Sequence, residues 1–336
     1  MMESILITGA SGFIGSFLVE EALKREFNVW AGVRASSSRE YLRDPAIRFL
    51  ELDFAHAERL QAQLREHKEA HGRFDYVVHC AGVTKCTDKR DFDRVNFRQT
   101  KLFADMLCAL DMVPRQFIFI STLSVFGPVQ EKTYRPITDE DVPLPNTAYG
   151  QSKLKAERYL QGLSGFPYVI YRPTGVYGPR ERDYFLMAKS IKQHVDFAVG
   201  FRRQDLTFVY VKDIVQAVFL GIEKRVCRRA YFLADGQVYR SRAFSDLIRK
   251  ELGNPFVIRL VCPLIVLKIV SLLAEFWAVR RKRSCTLNSD KYNIMRQRNW
   301  QCDIDPAVRE LGFIPRYDLE RGVKETIAWY KNEGWL

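Results

Sequence analysis

Tyr149 and Lys153 stand four residues apart in Tyr149-Gly-Gln-Ser-Lys153, so on a helix they project from one face. An unperturbed phenol titrates near pH ~10, too high for a base at neutral pH. An ammonium about 4 Å away, at an effective dielectric near ~20, favours the phenolate by on the order of 4 kcal/mol before solvation losses. That would bring the phenol down by as much as about three, to where a catalytic acid or base is useful. Such a pair is common by chance, and a surface cation–π contact is its ordinary fate. Here a second feature accompanies it. The strand-like run Phe117 to Ile120 ends in Ser121-Thr-Leu-Ser124, which sets hydroxyls, Thr122 among them, at a carboxyl edge.

Something must hold a reactive partner against these groups, and the first stretch of the chain supplies it. Ile5 to Ile7 is a short β-branched run, Gly9, Gly12 and Gly15 follow at intervals of three, and Phe17 to Leu23 recur at helical spacing. Strand, glycine turn and helix in this order fit a pyrophosphate lying on open N–H groups, with Ser11, Phe13 and Ile14 completing the loop. A carboxylate ends the second strand of an NAD-binding unit and bonds the ribose hydroxyls. The second strand here, Asn28 to Val33, ends in Arg34 with Ser36, Ser37 and Ser38 behind it. A guanidinium without a carboxylate suits a 2′-phosphate, so NADP is expected, with NAD the alternative. Asp53 and Phe54 after the third strand, Ile47 to Leu52, are placed to meet the adenine, and Ala81, Gly82 and Thr84 after Tyr76 to His79 lie close to the cofactor.

The elements needed to position these residues alternate. Polar Ala55 to Ala70, long Phe92 to Leu110 and Tyr149 to Leu160 read as helices between strands that include Phe117 to Ile120 and Tyr168 to Tyr171. Alternation of this kind predicts an α/β protein, a doubly wound parallel sheet of Rossmann type, with a smaller carboxyl-terminal α/β lobe. The dinucleotide-binding domain is expected over 1–175, with 205–225 returning to it, and most of 176–336 as a substrate-binding lobe. Asp213 is expected to cap the helix that begins there.

Composition bounds the partners. The 336 residues are 47% hydrophobic and 27% charged, as in globular proteins. Seven cysteines show no CxxC pair and no metal-ligand spacing with the five histidines, so reduced thiols, no metal and a cytoplasmic location are expected. The net charge of +12 is scattered and comes with no nucleic-acid motif, which argues against a nucleic-acid partner. Phe256 to Val279 is long and apolar, but Arg259, Lys268 and Glu275 interrupt it. A helix buried in the second lobe or capping a greasy pocket is expected there; peripheral membrane contact through 256–283, flanked by Arg280 to Arg283, is the alternative. A true span is disfavoured by charges near its centre.

Taken together, Thr8-Gly-Ala-Ser-Gly-Phe-Ile-Gly15, Asp53, His79 to Gly82, Asn96, Thr122 before Val125-Phe-Gly127, Tyr149 with Lys153, and Arg172-Pro-Thr-Gly-Val-Tyr-Gly-Pro179 resemble the extended short-chain dehydrogenase/reductases of the NAD-dependent epimerase/dehydratase group. The resemblance implies Tyr149 as catalytic acid/base, Lys153 on the nicotinamide ribose, Thr122 bonding the reacting oxygen, Asn96 in support and Pro173 near the nicotinamide. It also allows a homodimer. The dehydratases of the group follow the Thr with Asp-Glu, whereas Leu123 and Ser124 stand here. Where many sugar-nucleotide epimerases have a diphosphate-gripping Arg this chain has Leu206, with Arg202 and Arg203 nearby. The expected activity is therefore hydride transfer between NADP and a secondary alcohol or ketone on a largely apolar or modest-sized substrate, as in the 3β-hydroxysteroid dehydrogenases and dihydroflavonol reductases. A nucleotide-sugar epimerase or reductase is the alternative. The intact Thr122, Tyr149 and Lys153 set argues against a non-catalytic NADP-binding role.

Overall fold

The computed structural model describes residues 2–281 and 288–336; Lys282, Arg283 and Cys285 fall outside the described residues. The chain begins β1 (Ser4–Thr8), α1 (Phe13–Lys24), β2 (Asn28–Val33), β3 (Arg48–Glu51), α2 (Ala57–His71), β4 (Tyr76–His79), α3 (Arg90–Phe92), α4 (Gln99–Ala109), β5 (Gln116–Ile120), α5 (Ala148–Gly162) and β6 (Tyr168–Pro173). It continues β7 (Gly175–Tyr177), α6 (Asp183–Lys192), β8 (Val195–Val199), β9 (Asp205–Leu206), β10 (Phe208–Tyr210), α7 (Val211–Glu223), β11 (Arg229–Leu233), β12 (Tyr239–Arg240) and α8 (Ala243–Glu251). Last come β13 (Ile258–Cys262), α9 (Leu264–Arg280), α10 (Ser289–Arg296), α11 (Asp305–Leu311) and α12 (Leu319–Asn332).

Seven of these strands form one parallel sheet in the order β3-β2-β1-β4-β5-β6-β11. Such strands are covered on both faces, which is why they read as continuous apolar runs. One face packs under α1, α7 and α11 through Leu18, Val19, Ile214, Val218 and Leu311. The other packs under α2, α4 and α5 through Leu60, Leu64, Phe103, Leu107 and Leu160. This is a Rossmann-type doubly wound sheet. Its strand order reverses between β1 and β4, and the crevice outside their carboxyl ends is where this architecture binds ligands. A third core, with Tyr177, Phe208, Tyr210, Phe244 and Tyr330, joins β7 and β10 to α8 and α12.

Three expectations give way. The helix expected over Phe92 to Leu110 is interrupted, because Asp93–Arg98 forms a wider π turn between α3 and α4. Such a turn re-aims a side chain, and Asn96 inside it faces Val83 instead of following the helix. Asp213 is not a cap: α7 already begins at Val211, and the Asp213 carboxylate accepts the backbone N–H groups of Arg316 (3.0 Å) and Tyr317 (3.2 Å). Burial pushes that carboxyl up to about 6.

The third correction is the largest. α9 is not buried in the lobe: Ile265 is 70% exposed, Leu273 55%, Ile269 54% and Trp277 54%, while Leu267 and Ser271 face inward. Its polar residues hold it to the molecule. Glu275 accepts the Ser289 N–H at 3.0 Å and pairs with Lys89 at 2.8 Å. Among the described residues, no helix is long and apolar enough to cross a membrane.

Candidate active site

The loop after β1 turns at Gly9, whose φ of +67° suits a residue without a side chain. A Cβ on Gly15 would overlap the Gly9 carbonyl oxygen, so only glycine lets α1 start this close to the turn. Gly12 is the N-cap and provides no side-chain cap, which leaves the first N–H groups of α1 open towards the crevice. Ser11, Phe13 and Ile14 are half-buried around it. An uncapped helix start behind a glycine turn at the switch point fits a dinucleotide pyrophosphate.

The neighbouring strands end in the same row. Arg34 is exposed at the end of β2, where its N–H donates to the Ser37 hydroxyl at 3.0 Å. Asp53, after β3, accepts from Ala55 N–H (3.1 Å) and pairs with His56 (2.8 Å), which holds its carboxyl below the usual range. Phe54 packs edge-on against Phe103, with ring centres 5.3 Å apart, so most of its ring serves the core. Ala81, Gly82 and Thr84 follow β4 at the crevice edge, with Gly82 and Thr84 exposed.

Beneath them runs a buried chain of hydrogen bonds. Thr100 donates to the Asn96 carbonyl at 2.9 Å, so its oxygen accepts from His79 Nε2 at 3.0 Å. His79 Nδ1 then accepts from the Thr8 hydroxyl at 2.8 Å, and that hydroxyl accepts from Ala81 N–H at 3.3 Å. Burial, helped by the Lys153 charge, brings His79 down to about 3, so the imidazole is neutral and fixed in one tautomer. Asn96 Oδ1 accepts Val83 N–H at 2.8 Å while its amide donates to the Val83 carbonyl (3.0 Å) and to Ser152 on α5 (3.1 Å). The network fixes the loop after β4 against the helix that carries Tyr149.

Tyr149 and Lys153 sit in the first turns of α5. A Cβ on Gly150 would overlap the Ser124 carbonyl oxygen; glycine there lets α5 close on the turn after β5. The Tyr149 side chain thereby faces Thr122. Thr122 also accepts the Ser124 N–H at 3.2 Å. The expected effect of Lys153 on the phenol is absent. Burial pushes Tyr149 up to about 12, opposed only by Thr122. The reason is aim: Lys153 Nζ donates to the Ile120 carbonyl at 2.7 Å and lies 4.4 Å from the centre of the Phe119 ring. Burial brings Lys153 itself down to about 8. The Tyr149 phenol therefore keeps its proton at neutral pH, with Lys153 one helical turn behind.

Two acidic residues complete the site without having been singled out in the sequence. Glu157 continues the Tyr149–Lys153 stripe by one further turn, fully buried, where it accepts from Ser121 and pairs with Arg172 at 2.8 Å. The four-residue repeat was the signal for it. Asp290, on α10, accepts the N–H groups of Ala148 (2.8 Å) and Tyr149 (3.3 Å) and so caps α5 from 142 residues away. No local signal marks it.

Beside Thr122 lies a cavity of about 310 Å³. Pro173, Leu206, Phe208, Met295 and Trp300 give it a largely apolar wall, with Ser124, Thr174 and Gln204 as polar points. Leu123 is buried in a core cluster, so no acid follows Thr122 into the site. A second cavity of about 300 Å³, lined by Arg202, Arg296 and Arg298, shares Val199 and Gln204 with the first. Arg203 is turned away, held on buried Asp205 at 2.6 Å.

Residues 5–233 match the NAD dependent epimerase/dehydratase family. The chain belongs to that family. It is similar along its whole length to the decarboxylating sterol-4-alpha-carboxylate 3-dehydrogenase of Dictyostelium discoideum, 23% identical over 96% of this chain and 100% of that one. The UDP-glucose 4-epimerase of Vibrio cholerae is 26% identical over 97% of this chain and 95% of its own. Among solved structures, the UDP-glucuronic acid 4-epimerase of Bacillus cereus, in complex with UDP-glucuronic acid and NAD, superposes with a TM-score of 0.77 at 19% identity over 98% of this chain and 99% of that chain. Members of the family are NAD-dependent dehydrogenases, epimerases and dehydratases, and the protein is an enzyme of this kind.

Proposed function

We propose that the protein is an NADP-dependent oxidoreductase that interconverts a secondary alcohol and a ketone on an apolar molecule. The observation that carries this reading is the largely apolar cavity opening on Thr122, which faces Tyr149. Gly9, Ser11 to Gly15, Asp53, Phe54, Ala81, Gly82, Thr84, Lys153 and Pro173 would hold the dinucleotide, with Asn96 fixing the loop after β4 behind it, and Arg34 with Ser36 and Ser37 its 2′-phosphate. When bound, the dinucleotide supplies or accepts the hydride. Thr122 orients the substrate oxygen, and Tyr149 delivers a proton to it in the reducing direction and removes one in the oxidising direction. Leu206 and Trp300 exclude water. Most of 176–336 serves as the substrate lobe. The sterol dehydrogenase relative supports an apolar ring substrate.

A nucleotide-sugar reading has its own support: Arg202, Arg296 and Arg298 around the adjoining cavity could grip a diphosphate. One set of titrations separates the two. Sterol-like ketones should stabilise the protein in thermal shift and UDP- or dTDP-sugars should not, and NADPH should bind at least about tenfold more tightly than NADH, a free-energy difference of about 1.4 kcal/mol. On a ketone that turns over, Tyr149→Phe should lower kcat by at least about a thousandfold with dinucleotide affinity unchanged. Equal cofactor affinities would overturn the Arg34 assignment, and a surviving kcat the role of Tyr149.

A further inference from the structure

α9 inverts the usual distribution of side chains. By the 3.6-residue repeat, Ile265, Ile269, Leu272, Leu273, Phe276 and Trp277 fall on one broad outward arc, and all are exposed. Lys268 flanks that arc on one side and Arg281 on the other, with Arg280 at its end; all three are exposed. The Arg280 guanidinium stacks on Phe276, 4.4 Å from the ring centre, and Arg281 lies over Trp277 at 5.7 Å. Aromatic rings beside cations at the edge of an apolar face belong to the boundary between hydrocarbon and headgroup.

The apolar surface continues past the start of the helix. Phe201 is 79% exposed, and Phe197 and Leu260, paired across β8 and β13, are exposed as well. The loop after β8 touches α9, since a Cβ on Gly200 would sit 3.4 Å from Leu264. Phe197, Ala198 and Val199 of the same strand line the cavity beside Thr122. The face therefore runs up to the mouth of the candidate substrate pocket.

We propose that α9, with Phe197, Phe201 and Leu260 at its N-terminal end, lies in the plane of an anionic lipid bilayer and sets the pocket mouth at the lipid surface. Its flanking cations meet anionic headgroups while the apolar arc enters the acyl boundary, as a basic amphipathic helix does. A second copy of this chain is the poorer occupant, because a two-fold contact through α9 would gather Lys268, Arg280 and Arg281 of both copies around one apolar contact, with no carboxylate on the arc to meet them. The docking rests on this surface alone and holds whichever substrate the pocket takes.

The test is flotation of the purified full chain with vesicles of phosphatidylcholine alone or with added phosphatidylglycerol. Binding to the anionic vesicles should be at least about tenfold tighter, weaken in high salt, and shift Trp277 emission to the blue. The double variant Ile269→Glu/Leu273→Glu should lose vesicle binding while its dinucleotide affinity and Tm stay those of the native chain. Failure of the native chain to float with either vesicle overturns the proposal, and so does a double variant that still floats. A native dimer that Leu273→Glu converts to a monomer, without vesicle binding, assigns the face to a second copy instead.

Discussion

α5 and α9 break the same rule in opposite directions. α5 buries charge: Lys153 and Glu157 are almost wholly inside, and Tyr149 is half-covered. α9 exposes oil, with its apolar arc outside and Ser271 within. The difference lies in what each misplaced group meets. On α5 every buried polar group has a partner: Lys153 the Ile120 carbonyl, Glu157 the Arg172 guanidinium and Ser121, and the helix start Asp290. Burial there is tolerated because desolvation is offset by hydrogen bonds, and it leaves titration behaviour suited to chemistry. On α9 the apolar arc stands half or more exposed, with Arg280 and Arg281 lying over its own Phe276 and Trp277. A buried polar group with partners marks internal work, whereas an exposed apolar arc marks work done at a surface. The two helices are joined through Glu275, Ser289 and Asp290, so the apolar helix helps hold the one that carries Tyr149.

If the comparison is right, substitutions on the two helices differ sharply in effect. Glu157→Ala strands the Arg172 guanidinium in the interior and should destabilise by about 3–5 kcal/mol in urea unfolding. A loss below about 1 kcal/mol would mean that Asp139, 3.0 Å from Arg172, neutralises it unaided.

An intermediate effect concerns pH. His79, on the same side as α5, is held near 3 when folded and titrates near ~6.5 when unfolded. Between those values the unfolded chain binds a proton that the folded one refuses, so stability present above pH ~6.5 is lost as pH falls. The group can contribute up to about 1.4 kcal/mol per pH unit. Unfolding of the native chain should be steeper in this window than that of His79→Asn, and identical slopes would show that His79 is not held neutral.

The smallest effect belongs to α9. Leu272→Ser should change stability by less than about 1 kcal/mol, because that side chain is already half in water. A loss of about 2 kcal/mol or more in dilute monomer would show that the arc packs on the molecule after all.

Much was legible in the sequence wherever short-range periodicity carried the signal. Doubly covered strands must be apolar throughout, so β1, β2, β4, β5 and β6 announced themselves, and the glycines of Gly9 to Gly15 fixed the turn and helix start. The Tyr149–Lys153 spacing showed which residues share a face. It could not show where Lys153 points, because the Ile120 carbonyl that draws it belongs to another element. Nor could it show the π turn at Asn96, whose side chain meets the Val83 backbone from another element.

The sequence by itself determined the alternating α/β order, the glycine loop and the Tyr149–Lys153 stripe on α5, because each depends on residues within a few turns of one another. Tertiary structure alone decided the rest: that β11 completes the sheet beside β6, that Asp290 caps α5 across 142 residues, and that the oil of α9 faces outward. Hydrophobicity read along a chain says how much apolar surface there is. Which side of it is covered depends on what the rest of the fold brings against it, and that is a property of the packed molecule.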